Sequence, residues 1–491
     1  MAVILYLLRY PKCIALSFQF FVYLCTVDEM ITISRSEYDR LCSENEEMKR
    51  EIADLRKLVQ RLMDEISLLK GGKNSRTSST SPSEDLGRSN RISLRVSSGR
   101  KSGGQPGHCG STLPMSDTPT ETIHHHPSVC EHCGEDLQKV DSHSFTRRQI
   151  VDIPPILPIY IEHRAHTKIC PQCQCTNKGV FPEGLQAPVQ YGAGVEAITG
   201  YLSVYQALPY KRICLLFRDF FGFRPSQGSI DTFIENLSRK SEPVYEDIRK
   251  QIEQSEVVGS DETGCRVNGK KHWFHVWQTR LLTFIVSFAT RGHKVIEEYF
   301  PGGFIHSFYV SDCWASQLKA IAKAHQLCMA HLLRELTNFA ENLKSDWSAK
   351  MKRLFLRAIE LKKKMTEENY LHPPEEVSQL NKELDELLQI EFSKFHAKEQ
   401  AFIKRLIKHR KSIFTFLTYP NVPPDNNASE RAIRNVKIKT KVSGQFRNAN
   451  GKGADRYAKI RSVIDTTIKN RQEVYTALVA MANGKLVEVP E

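Results

Sequence analysis

The chain has 491 residues, a net charge of +13 and 13 cysteines. That length supports about three domains with cores of their own, which excludes a miniprotein that depends on disulfides. The cysteines include two Cys-x-x-Cys pairs and are otherwise scattered, which excludes a secreted disulfide framework and fits a metal site in a reducing cytoplasm.

The first 29 residues carry an apolar, aromatic run, Cys13–Val27, behind Lys12. At about 15 residues it falls short of the roughly 20 that span a bilayer, and no small-x-small cleavage site follows it. Helix signals begin just after Met30. The expectation is therefore that Met30 is the start, that 1–29 is an upstream extension, and that the chain has no membrane role.

Tyr38 to Leu69 carries a heptad. Leu41, Met48, Leu55, Leu62 and Leu69 fall at d, and Tyr38, Asn45, Ile52, Val59 and Ile66 at a. β-Branched a residues over Leu at d favour a parallel two-stranded coiled coil, and Asn45 at a fixes its register. Glu44 and Glu51 at g face Lys49 and Arg56 at the partner's e positions. Ser34 and Glu37 have capping-box spacing. Residues 34–70 thus read as a zipper, and a homodimer or higher oligomer as its product.

Residues 71–113 are rich in Ser, Gly and Arg and too poor in large apolar residues to form a core, so they read as a flexible basic tether. The run Gly103–His108 is turn-forming. Residues 114–180 contain Cys130-x-x-Cys133 and Cys170-x-x-Cys173, two thiol pairs that can give Zn²⁺ four tetrahedral ligands in a structural site. His132, His108 and Cys175 are alternative donors. The intervening Arg148–Tyr160 and Ile161–Ile169 read as strands.

Residues 181–250 are helical in pattern. One helix opens at Leu208-Pro209-Tyr210, Gly222 breaks it, and Ser226-Gln227-Gly228-Ser229 starts another. Two helices about a short Gly-containing turn are similar to a helix-turn-helix, with Gln227 at the start of the second as a DNA-contact candidate.

From Ser255 the period changes to that of strands. Val257–Ser260, His272–Thr279 and Leu281–Phe288 read as strands, Arg291–Phe300 as a helix, Ser307–Ser311 as a fourth strand and Trp314–His325 as helical. A β-β-β-α-β series begins a ribonuclease-H-like fold, in which the first and fourth strands are neighbours. Asp261 and Asp312, each at the end of one of those strands, would then be adjacent, and adjacent carboxylates favour a bound cation. Each acid also has an ordinary reading. Asp312 has the place of an N-cap, Asp261 that of a turn leading to Asn268-Gly269, and Glu430 that of the capping glutamate to Asn427. Glu262 is a rival that strand alternation turns away from Asp261. Behind Glu430, residues 431–471 hold twelve Lys and Arg against Asp455 and Asp465, net +10, a concentration that attracts phosphate backbones.

At these residues the chain resembles a DDE transposase of the insertion sequence 66 family. The resemblance covers roughly 31–485. It rests on Gly103–His108, the two Cys pairs, Asp261-Glu262-Thr263-Gly264, Ser311-Asp312, Cys328-x-x-His331 and Asn426–Arg431 with the Lys/Ser-Gly segment after it. It implies that Asp261, Asp312 and Glu430 form a metal-binding catalytic triad for Mg²⁺ or Mn²⁺, and that the stretch between Asp312 and Glu430 is an all-α insertion. The implied reaction is hydrolysis at a transposon end, then attack of the freed 3′-OH on target DNA by two-metal-ion transesterification. Arg431, Arg434, Lys437, Lys439 and Lys441 would hold DNA phosphates, and Arg434 would also orient Glu430. Cys328, His331 and Arg334 match a Cys-x-Ala-His element and one of its arginines, while Leu333 stands where a second arginine is common. Cys328 and His331 offer only two visible ligands, so a structural role beside the active site is expected of them.

The expected architecture is multidomain α+β, with an N-terminal coiled coil, a zinc-ribbon-like module, a helical DNA-binding region and a ribonuclease-H-like α/β catalytic domain with an all-α insertion. That catalytic domain would comprise 251–314 and 425–485, around an insertion at 315–424. The expected partners are transposon-end and target DNA, a second copy of the chain, and helper proteins of the same element. The expected location is the cytoplasm of a bacterium or archaeon, at the nucleoid. The alternatives are an inactive or domesticated copy acting as a DNA-binding regulator, and a ribonuclease-H-type nuclease, for which the zipper and zinc module would be superfluous.

Overall fold

A computed structural model describes residues 21–25, 30–70, 107, 110, 113–447 and 452–485. Nearly all of the 71–113 tether, with His108, and most of the 1–29 extension lie outside the described residues. The chain divides into two compact units. One contains 1–88, 253–261 and 292–430; the other contains 89–252, 262–291 and 431–491.

In the first unit, β1 (Phe21–Cys25) and β2 (Met30–Ser34) form an antiparallel hairpin, and helix α1 (Arg35–Lys70) follows. The Glu37 N–H donates to Ser34 Oγ at 3.2 Å, which caps the helix start. Within one chain the zipper face is open, with Met48 38%, Leu55 58% and Leu62 49% exposed.

In the second unit, β3 (Thr167–Ile169) pairs antiparallel with β4 (Thr176–Lys178). Residues 148–166 form no strand, contrary to the sequence pattern, which is met only at Thr167–Ile169. Pro154, Pro155 and Pro158 remove the ladder donors there, and Ile150, Ile153 and Ile159 stand in solvent. Helices α2 (Tyr210–Phe221) and α3 (Gln227–Lys240) meet at Gly222, whose φ of 75° ends α2 in the left-handed region. Ser226 then caps α3 by accepting the Ser229 N–H at 3.0 Å.

Strand β5 (Val257–Val267) runs through both units. It is longer than the sequence suggests, so Asp261 lies inside a strand and not at its end. In the second unit the sheet order is β7-β6-β5, with β6 (Lys270–Gln278) and β7 (Thr283–Phe288) antiparallel. Asn268 and Gly269, with φ of 47° and 80°, make the two-residue turn between β5 and β6. In the first unit the order is β5-β8-β9, all parallel, with β8 (Phe304–Ser311) in the middle. The expected adjacency of the first and fourth strands is thus present.

β9 (Ala322–Leu327) corrects the helical reading of Trp314–His325, where only Ala315–Leu318 is helical. Ala, Lys and Gln favour a helix locally, but a parallel strand completes hydrogen bonding along β8, and tertiary pairing overrides propensity. The stretch 315–424 is therefore not all-α. Its helical part begins with α4 (Met329–Asn342) and continues through Asp346–Lys364, Glu375–Leu388 and Ala397–Lys408. These bury one core around Leu332, Leu336, Phe355, Leu384, Phe402 and Phe416. Leu333, at the place of a family arginine, belongs to that core.

Helix α5 (Asn427–Ser443) begins in the first unit and continues into the second, where α6 (Gly453–Lys469) follows. α6 covers the edge strand β7. The Ile285 N–H donates to Ser462 Oγ at 2.8 Å and the Thr283 N–H to Thr466 Oγ1 at 3.1 Å. Hydroxyls one helical turn apart thus satisfy donors that an open sheet edge would expose.

Candidate functional site

The end of β8, the end of β9 and the start of α4 come together in the first unit. β5 and β8 pair as Val257↔Phe308, Val258↔Tyr309 and Gly259↔Val310. Asp261 and Asp312 each follow the last of these pairs by two residues. β8 and β9 pair through Ser311↔Leu327, so the next residues, Asp312 and Cys328, leave adjacent strands side by side. The Cys328 N–H closes the arrangement on Ser311 O at 2.9 Å. Cys328 is the N-cap of α4, and His331 returns over the same first turn.

His331 lies between two of the predicted acids. Its Nδ1 is 3.0 Å from Asp312 Oδ1, and its Nε2 is 3.7 Å from Glu430 Oε1. Asp312, Cys328 and His331 each offer a ligand atom within 4.8 Å of the others, and among the described residues no other group of three His, Cys, Asp or Glu does so. Arg334, one turn further along α4, places Nη1 and Nη2 at 3.4 Å from Glu430 Oε1 and Nη1 at 3.2 Å from His331 Nε2. Burial opposes protonation of His331, but Asp312 and Cys328 outweigh it and raise the imidazole to about 11. Below Asp312, Arg405 pairs with Glu335 at 2.5 Å. Burial raises the Glu335 carboxyl, which Arg405 partly offsets.

Glu430 is the N-terminal acid of α5, but its carboxylate turns to Arg334 and His331. Asn426, one residue before the predicted cap Asn427, performs the capping. It is 1% exposed, its carbonyl accepts the Glu430 N–H at 3.2 Å, and its Oδ1 accepts from Ser429 Oγ at 2.6 Å. Its Nδ2 donates to Ser260 O at 2.5 Å, and its backbone N–H to Cys328 Sγ at 3.2 Å. One asparagine thereby ties the residue before Asp261, the cap of α4 and the start of α5. The sequence names Asn426 only as the first residue of the Asn426–Arg431 element and gives the cap to Asn427.

The remaining predicted residues lie in the second unit. Glu262 is held by Arg291 at 2.6 Å. Cys130 and Cys170 each open a turn of the same design. Gly134 donates to Cys130 O and Gln174 to Cys170 O, both at 2.9 Å, with positive φ at Gly134 and Gln174. Backbone hydrogen bonds from Cys133 and His132 lower the Cys130 thiol, and one from Cys175 lowers that of Cys173. Thiols biased toward thiolate suit Zn²⁺. The turns are formed, but their four sulfurs are not gathered within 4.8 Å of one another.

Gln227 is exposed at the first turn of α3, and Arg431, Arg434, Lys437 and Lys441 are exposed on α5. Lys439 is not among them. It is 8% exposed, donates to Ser203 O and Leu208 O at 2.9 and 3.2 Å, and burial lowers it to about 8. It is a tie between backbone carbonyls and not a phosphate contact. The net +10 run is likewise partly internal. Arg456 pairs with Asp231 and Glu235, Lys459 with Glu242, Arg461 with Asp465, and Lys469 binds the Thr279 and Leu282 carbonyls.

Among the described residues no helix is long and apolar enough to cross a membrane. No curated protein matches the chain. Residues 127–174, which hold both cysteine turns, match the zinc-finger binding domain of transposase IS66. Residues 188–454, more than half of the chain and inclusive of Asp261, Asp312, His331 and Glu430, match the family described as Transposase IS66 family. The chain belongs to the IS66 family of transposases.

Proposed function

We propose that this transposase cuts the ends of its element and joins the freed 3′-OH to target DNA, with Mg²⁺ or Mn²⁺ held by Asp261, Asp312 and Glu430. The observation that carries the reading is that one imidazole, His331, has Asp312 on one side and Glu430 on the other, while Asp261 and Asp312 each follow the last β5–β8 pair by two residues. Hard carboxylate oxygens suit these cations. When bound, such ions activate the attacking oxygen and neutralise charge at the phosphate.

The protein's own contribution is placement. Asn426 fixes the start of α5 and hence Glu430, and Arg334 holds that carboxylate at Oε1. The exposed Arg431, Arg434, Lys437 and Lys441 hold DNA phosphates, and Gln227 contacts DNA from the start of α3. Preorganised charge requires no covalent protein intermediate. Cys130, Cys133, Cys170 and Cys173 hold a structural Zn²⁺, and α1 pairs with a second copy so that two ends are handled together.

The test gives the chain from Met30 labelled element ends, Mg²⁺ or Mn²⁺, and helper proteins of the element. Asp261→Asn and Glu430→Gln are expected to abolish cleavage and strand transfer. Cleavage that survives either substitution refutes the triad. Tight DNA binding by the unaltered chain without cleavage under every condition assigns it to a DNA-binding regulator.

A further inference from the structure

We infer that Asp312, Cys328 and His331 hold a zinc ion, distinct from the zinc of the cysteine turns and from the cations of DNA cleavage. The residues 328 and 331 supply two ligands, and the fold supplies the third. The pair Ser311↔Leu327 carries Asp312 and Cys328 out of neighbouring parallel strands, and the first turn of α4 brings His331 onto both. The three ligand atoms lie within 4.8 Å of one another.

Two further features distinguish this group from an ordinary ion pair. Asp312 Oδ1 and His331 Nδ1 approach to 3.0 Å, and both are buried atoms for which no hydrogen-bond partner is found among the described residues. Cys328 is fully buried, and its sulfur accepts the backbone N–H of Asn426. Donors of this kind, one step out from the metal, orient its ligands. On the far side of the imidazole, Nε2 is 3.7 Å from Glu430 Oε1 and 3.2 Å from Arg334 Nη1, which pairs with the same carboxylate.

The donor set selects the metal. A thiolate is too soft for Mg²⁺ or Ca²⁺, whereas sulfur, imidazole and carboxylate together suit Zn²⁺. Three protein ligands leave one position for water or a phosphate oxygen. Asp312 would ligate zinc through Oδ1 and keep its other oxygen for the cleavage site. The inference does not depend on the transposition chemistry and holds equally for a chain that only binds DNA.

Zinc per chain is measured by mass spectrometry of metals on the purified full chain and on Cys328→Ser and His331→Gln, with circular dichroism to establish folding. Each variant is expected to lose one equivalent relative to the unaltered chain, while Cys130→Ser with Cys170→Ser loses a different one. Cobalt substitution distinguishes the two centres, since one thiolate gives a weaker sulfur-to-cobalt band than four. If Cys328→Ser does not fold, His331→Gln carries the test. Unchanged zinc in a folded His331→Gln overturns the inference, whatever the outcome of cleavage assays.

Discussion

Replacing Asn426 with alanine removes a side chain that makes two short hydrogen bonds in a buried place. Nδ2 donates to Ser260 O at 2.5 Å and Oδ1 accepts from Ser429 Oγ at 2.6 Å. Ser260 is 4% exposed and Ser429 0%, so water cannot readily replace the lost partner at either. A buried polar group left unpaired costs about 1–3 kcal/mol. Two such groups imply a loss of about 2–6 kcal/mol. Ser429→Ala breaks one of the two bonds and should cost about half as much. The double variant should cost less than the sum, because residues that share a bond are not additive. Asn427→Ala is the control. Asn427 is half-buried, and its own N–H, which the substitution keeps, meets Asp425 Oδ1, so a change within about 0.5 kcal/mol is expected. Hydrogen exchange read by mass spectrometry on peptides from 304–342 and 415–443 gives the local opening free energy. If Asn426→Ala protects those peptides as well as Asn427→Ala does, Asn426 is not what ties the three elements together.

Lys439 is lowered by burial to about 8 from an ordinary 10.5. Between these values the unfolded chain binds the extra proton, so the lysine makes stability rise with pH across that window, by at most about 1.4 kcal/mol per unit; urea unfolding of Lys439→Met should lack that slope. Arg434→Ala with Lys437→Ala should reduce the slope of log affinity for DNA against log salt by about 0.9 for each phosphate that is no longer neutralised. Lys439→Met should leave the slope unchanged in the same anisotropy titration. Asp465→Ala leaves Arg461, 3% exposed, without its carboxylate, and should destabilise by about 3–5 kcal/mol; a loss under about 1 kcal/mol in urea unfolding would contradict the pairing. Leu55→Lys with Leu62→Lys should convert a dimer to a monomer in sedimentation equilibrium, with α1 otherwise exposed as before.

The adjacency of β5 and β8 is legible because alternating strands and an intervening helix restrict a parallel crossover to few arrangements. β9 is not, since Ala322-Lys323-Ala324-His325-Gln326-Leu327 has helical propensity and only the open edge of β8 makes it a strand. Gln326 then serves a place that no local pattern announces. It is fully buried, donating to Ile413 O and accepting the Phe416 N–H. Charge counting misleads for a related reason. Lys439, Arg456, Lys459, Arg461 and Lys469 contribute to the net charge of the sequence but are committed to carbonyls and acids inside the second unit. The partners Asp231, Glu235 and Glu242 stand about 220 residues earlier in the chain, beyond the reach of any local window.

The strand β9 bears on the site more than its size suggests. If residues 314–325 continued as a helix, Cys328 would not leave the sheet beside Asp312, because that placement follows from the Ser311↔Leu327 pair. α4 would then start elsewhere, and His331 would lose its position between Asp312 and Glu430. Glu430 depends on the same point by a second route, since the Asn426 N–H on Cys328 Sγ and the Met329 N–H on Pro424 O anchor the approach to α5. Asp312 and Glu430, 118 positions apart, thus both depend on one short strand and the cysteine that follows it. Substitutions that weaken β9 should disturb Asp312 and Glu430 together, whereas those that weaken the hairpin turn at Asn268 and Gly269 should leave both in place.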